Sequence, residues 1–596
     1  MKLKHIGILA LLIISALGEV SAQNTPKYWQ YAPTPPLGWN SWDIFGTTVT
    51  EQQIKEQADA MALYLLPSGY KYLTVDIQWY EPESKSHAYN PNSILTMDEY
   101  GRLIPGLKKF PSATDGKGFK PLADYVHSKG LKFGIHIMRG IPKQAVEKNT
   151  PVLGTKVKAQ DIALKSSTCP WNPDMYGVDA TKPEGQAYYY SIIQMYADWG
   201  VDYIKVDDIS RPYGDVQKAE IEAIRKAIDK TGRPIVLSLS PGATPVKAGE
   251  HVMQYANLWR ITDDFWDNWG LLHAMFERLD VWTPYRGPGH FPDADMLPIG
   301  IIDFNRQTKF TKDEQYTLMS LWAIGRSPLI FGGDMTKLDD FTKEMLTNPE
   351  MLKVNQESTN NRQVYNEKNL IVWTADVPDS KDKYVALFNA QSKGDNIDFA
   401  NANYASPVIA GNGSSQEINV SVKDGKKLVL FVNDGGNGFD WDHVAWVDPV
   451  LHGPKVDKKL TDLKWINATS GWGNANVNKA CDGRPLLVDG KPATGIGAHA
   501  KSVIIYELPE GYETFTAKGV VLKETGSVVF GVLVDKGIME FPEASDVKVD
   551  FKSIGIKGKA KVVDLWSHKE LGVFNKEFGR ELPMHGAGLF RISPLN

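Results

Sequence analysis

Two short stretches of the chain set a carboxylate beside a cation. One is YIKVDD at 203–208, the other WRITDDFWDNW starting at Trp259. Side chains of an extended strand alternate between faces, so Lys205 and Asp207 share one face while Val206 and Asp208 share the other. With the apolar Ile204 and Val206 turned outward against helices, Lys205 and Asp207 point inward. A lysine two positions away favours the ionised carboxylate, the state a nucleophile needs. In the second stretch Arg260 precedes Asp264 by four residues. Two carboxylates about 5–5.5 Å apart, one attacking an anomeric carbon and one protonating the leaving oxygen, are what a retaining glycosidase requires. A structural ion pair on each strand produces the same spacing, and spacing alone leaves both readings open.

Such residues need a scaffold that brings strand ends together. Between residues 34 and 350, short apolar runs alternate with amphipathic helical patterns such as EQQIKEQADAMALYL and KPLADYVHSKG. The runs are PPLGWNSW, YLTVDIQW (72–79), LKFGIHI (131–137), YIKVDD, IVLSLS (235–240), LWRITDD (258–264), FPDADML (291–297) and SPLIFGGDM (327–335). Eight β/α units predict a (β/α)8 TIM barrel. The competing doubly wound sheet lacks its Gly-rich nucleotide loop. Polar residues gather where the runs end: Trp42, Asp43, Asp76, His136, Asp207, Asp264, Asp295 and Asp334. Strand C-terminal ends form the active face of such a barrel. A single Asp there also serves as a helix N-cap. After residue 360 the texture turns to alternating strands and Gly/Asn/Asp turns, which predicts antiparallel β-sandwich material.

With 596 residues the chain exceeds one core, and two to four domains are expected. A net charge of -5 without a basic patch argues against nucleic acid or anionic membranes as partners. The 17 Trp suit sugar stacking as well as large cores. The two cysteines, Cys169 and Cys481, stand far apart and form no metal-ligand pattern with histidine. The N-terminus reads MKLKHIGILALLIISALGEVSAQ, with Lys2 and Lys4, an apolar run and a small-residue cleavage site. It predicts a signal peptide over residues 1–22 and a protein exported to the periplasm or beyond.

These motifs resemble glycoside hydrolase family 27, the α-galactosidases and α-N-acetylgalactosaminidases. The resemblance rests on PPLGWNSW, YIKVDD, WRITDDFWDNW, PDADMLPIG and LMSLWAIGRSPLIFGGDM. It implies Asp207 as nucleophile, Asp264 as acid/base and Trp42 as the aromatic under the sugar. Asp76, Lys205, Arg260 and Asp295 then hold the sugar hydroxyls, with Met296 beside them in the binding site and with no metal and no cofactor. Three positions depart from the family. Ile77 follows Asp76 where the family has a second aspartate gripping the sugar's O4 and O6. His136 replaces a tyrosine. Ser240-Pro241-Gly242 stands where a Cys-Glu-Trp segment shapes recognition at O2. The loop CPWNPDMYG (169–177) is a candidate for the missing contact, with Cys169 in the pocket wall, and His136 is a candidate sugar contact. Asp208 is read as a helix cap or a supporting group.

The resemblance implies an oligo- or polysaccharide substrate and α-galactosidase activity first. β-L-arabinopyranosides or α-glucosides on the same mechanism come second, and a non-catalytic glycan-binding protein is the reading from another class. The expected organisation is a catalytic barrel over 23–360 and a discontinuous β-domain over 361–402 and 546–596. A permuted module resembling NPCBM, a jelly-roll sandwich, is inserted at 403–545. Within it Trp472, His499, Asp442, His443 and Trp446 are candidates for glycan contact or core. The turn NDGGNGFDWD reads as a hairpin or a calcium loop.

Overall fold

The computed structural model describes residues 26–90, 92–393, 399–436, 441–537 and 543–595. All eight apolar runs form strands of one parallel sheet. In chain order they are β1 (Leu37–Asn40), β2 (Tyr72–Val75), β3 (Lys132–Met138), β4 (Tyr203–Asp207), β5 (Val236–Leu239), β6 (Leu258–Arg260), β7 (Phe291–Asp293) and β8 (Leu329–Phe331). Neighbours in sequence are neighbours in space, and β8 returns to pair with β1. A parallel bridge from Leu297, just past β7, to Phe331 closes the barrel. At its base Tyr72, Tyr203, Val236, Leu258 and Phe291, each at or near the start of a strand, form a packed layer with Ala32. This plug belongs to stability and leaves the opposite rim for chemistry.

Helix chemistry matches the pattern. Glu51–Tyr64 starts at a capping box in which the Thr50 side chain accepts from Gln53 N and the Gln53 side chain accepts from Thr50 N. Asp215–Thr231 ends at Gly232 with φ 71°, the left-handed conformation a helix C-terminus favours. One element has no counterpart in the sequence reading. Between β3 and the helix Pro183–Asp198 the chain makes a small antiparallel sheet of Ile141–Pro142, Ala163–Thr168 and Met175–Val178, with two short helices between its first two strands. Its edge strand Ala163–Thr168 is half exposed, so no alternation marks it.

Beyond the barrel, strands within 359–389 pair antiparallel with strands within 559–594 in one six-stranded sheet. Leu387 faces Gly588 across that ladder. The residues between build two more antiparallel sheets around a core that includes Leu430, Trp446, Ile504, Phe515 and Phe530. Strands Ser415–Ser421, Lys427–Asp434 and His443–His452 are interleaved in both sheets with strands from 495–535. Trp446 and His499 are buried there and Trp472 is partly exposed. The calcium reading falls on a turn whose residues 437–440 lie outside the described residues, as does the 1–22 segment. Among the described residues no helix is long and apolar enough to cross a membrane, and none of the His, Cys, Asp and Glu groupings could hold a metal.

Candidate active site

Strand register decides which carboxylates meet. His136 on β3 pairs with Lys205 on β4, and Met138 with Asp207. Ile204 and Val206 are fully buried, and the polar partners of Lys205 and Asp207 come from neighbouring strand ends. The Lys205 ammonium donates to Asp76 Oδ2 at 2.9 Å, and Asn40 Nδ2 donates to the same oxygen at 2.7 Å. Although burial opposes ionisation, the Lys205 and His136 charges bring Asp76 down to about 2.

Asp207 is gripped at both oxygens. His136 Nε2 lies 2.9 Å from Oδ2, and the Asp208 backbone N–H donates to Oδ1 at 3.0 Å. An ionised carboxylate only accepts, so Nε2, the ring nitrogen that faces it, carries a proton. Burial opposes ionisation of Asp207 also, and the His136 hydrogen bond with the charges of His136 and Lys205 overrides it, holding the group below the usual range. The sequence reading credited Lys205 with this effect. In the fold Lys205 bonds Asp76, and the first partner of Asp207 is His136, which reaches it diagonally from the neighbouring strand, two positions off register.

Asp264 occupies the other side. Arg260, 3% exposed, reaches Asp264 at 3.2 Å and Asp295 at 2.8 Å, while the Asp264 side chain remains 54% exposed. Burial raises Asp295 despite Arg260, and the Asp264 charge adds to the rise. The Phe265 backbone N–H donates to Asp295 Oδ2 at 2.7 Å, tying the loop of Asp264 to the end of β7. Met296 beside it is buried. The departing segment 240–244 buttresses this loop. Thr244 Oγ1 donates to the Arg260 carbonyl at 2.7 Å, and a Cβ on Gly242 would lie 1.8 Å from the Thr262 carbonyl oxygen. Only glycine allows that approach. The arrangement is a recessed, ionised carboxylate and a more exposed one, both within electrostatic reach of the buried Arg260.

Aromatic rings line the entrance. The Trp42 ring lies 5.2 Å from His87 and 6.3 Å from Tyr89, nearly parallel to the latter. Tyr89 in turn meets Trp171 at 5.6 Å, so the loop CPWNPDMYG does reach the rim, through its tryptophan. Cys169 is 1% exposed and donates to Asp208. The sequence reading passed over Tyr80 and Tyr89. Burial and the charges of Asp207 and Asp76 raise both hydroxyls, which places both near the carboxylates. The Tyr80 hydroxyl is buried with no hydrogen-bond partner among the described residues, as is His136 Nδ1. The available signal was aromatic residues following a strand-end aspartate, in DIQWYEP.

Two rim candidates serve elsewhere. Asp334 caps the turn Met335–Lys337 and accepts from Gln57 Nε2 at 2.6 Å. Asp43 is buried, with Oδ2 against Gly332. Asp208 caps no helix, because the next one starts at Asp215 after Gly214. With φ 58° it turns back to Arg139, whose Nη2 lies 2.9 Å from its carboxylate and whose Nη1 lies 3.0 Å from Glu220. Arg139 Nε also donates to the Asp208 carbonyl at 2.5 Å. Breaking such a buried network by removing one charge costs about 3–5 kcal/mol, so it clamps the peptide that follows Asp207.

Burial pushes Asp208 up to about 6 against the Arg139 charge. Since the free carboxylate titrates near ~3.9, the folded chain holds an extra proton between about pH 4 and 6. The stability this group contributes is complete below about pH 4 and lost as pH rises through about 6. In Asp208→Asn, the fall of Tm between these pH values becomes shallower than in the parent. Parallel Tm profiles would show that Asp208 titrates normally.

Residues 154–357 match the Melibiase_2 family, described as alpha galactosidase A. Residues 384–452 and 457–565 match the NPCBM/NEW2 domain. The alpha-galactosidase of Cyamopsis tetragonoloba is 31% identical over 60% of this chain and 73% of its own length. That of Cellvibrio japonicus is 30% identical over 59% of this chain and 73% of its own. Among solved structures, a GH27 β-L-arabinopyranosidase variant from Geobacillus stearothermophilus, in complex with arabinose, is 38% identical. It superposes with a TM-score of 0.69 over 96% of this chain and 99% of its own.

Proposed function

The chain belongs to glycoside hydrolase family 27, and on that basis we propose that it is a retaining exo-glycosidase that removes terminal β-L-arabinopyranosyl residues. The observation that carries the choice of sugar is Asp76-Ile77. β-L-Arabinopyranose has the ring stereochemistry of α-D-galactose without the exocyclic C6 hydroxymethyl group. Asp76 keeps its carboxylate among Lys205 and Asn40, ready to accept from a ring hydroxyl. Ile77 is 1% exposed and apolar, so it offers a C6 hydroxyl nothing. A buried hydroxyl without a partner loses about 1–3 kcal/mol, and a sugar lacking that hydroxyl escapes the loss. The similar arabinopyranosidase structure, matched along nearly its whole length, supports the same choice.

In the proposed reaction Asp207 attacks the anomeric carbon while Asp264 protonates the leaving oxygen. Asp264 then activates the water that releases the sugar. His136 and the Asp208 N–H keep Asp207 ionised and aimed. Arg260 links Asp264 with Asp295, and Trp42 covers an apolar face of the ring. A non-catalytic lectin would have no use for the second carboxylate. Export through the N-terminal segment would direct the enzyme to extracytoplasmic glycans. The α-galactosidase reading is favoured by the curated relatives, and a substrate comparison separates the two. Among 4-nitrophenyl β-L-arabinopyranoside, α-galactoside, α-glucoside and α-N-acetylgalactosaminide, the arabinopyranoside gives the highest kcat/KM. A higher value for the α-galactoside would restore the alternative, and hydrolysis of the α-glucoside alone would overturn both.

A further inference from the structure

The loop that carries Asp264 runs directly into Asn268 and the helix Trp269–Val281. That helix turns one face toward the inserted β-sandwich, and a cleft of about 630 Å³ lies between them. One wall is Asn268, Trp269 and Glu277; the other is Trp465, Asn474 and Lys501.

The walls are pinned to each other. Asn268 Nδ2 donates to Asn474 Oδ1 at 2.8 Å. A Cβ on Gly270 would come within 2.9 Å of the Ser470 carbonyl. Farther along, Asn467 Nδ2 donates to the Lys393 carbonyl at 2.8 Å. Trp269 is fixed from behind, its ring stacked on His585 at 3.5 Å and 12° and its Nε1 donating to Ser392 Oγ at 3.0 Å. Trp465 is half-buried against the sandwich core. The cleft is thus a held shape that neither part of the chain makes alone.

Its size falls within the range of about 300–1,000 Å³ typical of small-ligand sites. Its lining combines two indoles with an imidazole, carboxamides, hydroxyls, one ammonium and one carboxylate. Carboxamides both donate and accept, as vicinal hydroxyls require, and indoles cover apolar ring faces. A single lysine balanced by a single glutamate gives no excess charge to attract a polyanion. This is the chemistry of a neutral, hydroxyl-rich chain.

Position supplies the rest. Asp264 stands 54% exposed at the mouth, and the leaving group departs past the residue that protonates it. Four residues later the same loop forms the edge of the cleft. We propose that the cleft binds the glycan on the leaving-group side of the scissile bond, so that barrel and sandwich together form subsites for a polymeric substrate. This rests on the glycosidase reading above.

The test compares a substrate that reaches the cleft with one that does not. Ala475→Trp fills the cleft, and the pair Lys501→Ala with Glu277→Ala strips two exposed polar groups from its walls. Arabinogalactan and galactomannan oligosaccharides serve as glycan probes, and the 4-nitrophenyl glycosides as short ones. In Ala475→Trp, KM for the preferred oligosaccharide rises at least tenfold while kcat/KM for the nitrophenyl glycoside stays within twofold. The double variant shows a smaller rise of the same kind. Unchanged oligosaccharide kinetics in both variants would overturn the proposal. So would equal losses on long and short substrates in the double variant at parental Tm. If the parent hydrolyses none of the nitrophenyl glycosides, the glycosidase reading itself fails. Calorimetry of Asp207→Ala with the same oligosaccharides, with and without Ala475→Trp, then decides the cleft: loss of binding on filling supports it, and unaltered or absent binding overturns it.

Discussion

Asp207→Ala lowers kcat on 4-nitrophenyl β-L-arabinopyranoside by on the order of 10^4-fold or more, the scale seen when a core catalytic group is removed. Asp207 is held at both oxygens with its charge maintained against burial, and no neighbour can replace it. Asp76 is occupied by Lys205 and Asn40, and Asp208 is turned back to Arg139. Asp264→Ala behaves differently. Loss of a general acid costs about 10²–10⁴-fold, and most of that is felt on leaving groups that need a proton. An activated nitrophenolate leaves without one, so the loss is larger on an oligosaccharide than on the aryl glycoside. Azide separates the roles. In Asp207→Ala it fits the space of the carboxylate and attacks once, giving a glycosyl azide of the opposite anomeric configuration. In Asp264→Ala it attacks the glycosyl-enzyme, giving the retained configuration. Exchanged stereochemistry between the two variants would reverse the assignments, and near-parental turnover in either would end its claim to a catalytic role.

Ile77→Asp moves the preference from arabinopyranoside toward α-galactoside. The gain in kcat/KM on the α-galactoside is about 10–10²-fold, the worth of one hydrogen bond to a charged group in a closed site. The arabinopyranoside loses, because the new carboxylate is buried beside Asp76 with no sugar hydroxyl to pair with. Like charge next to Asp76 and burial at a 1% exposed position both cost stability. Ile77→Asn, which offers a partner without the charge, therefore gives the same direction with a smaller fall in Tm. If both variants keep the parental ratio of the two substrates, discrimination lies elsewhere on the rim. Tyr80 and His136, each with a buried polar atom lacking a partner among the described residues, are then the positions to change.

By itself the sequence determined the barrel and nominated the two carboxylates. The eight apolar runs are short, strongly β-forming and separated by amphipathic helices, so local pattern and global topology agree. Strand alternation pointed Lys205 and Asp207 inward, and the Arg-x-x-x-Asp spacing put Asp264 on the same rim. Set beside the family's pattern, it also exposed the departure at Ile77.

Only the tertiary structure decided who bonds whom. His136 and Asp207 are separated by 71 positions, and no local rule links them. They meet because β3 and β4 are paired in one register, a property of the closed barrel. The same holds for Arg139 between Asp208 and Glu220, for Trp171 reaching Tyr89 across a loop, and for Asn268 meeting Asn474 across 206 positions. Local pattern specifies the face a side chain takes, while long-range pairing specifies the neighbour it finds there. The nomination of Asp207 belonged to the first kind of information. The partners that set its charge, and the cleft beside its acid, belonged to the second.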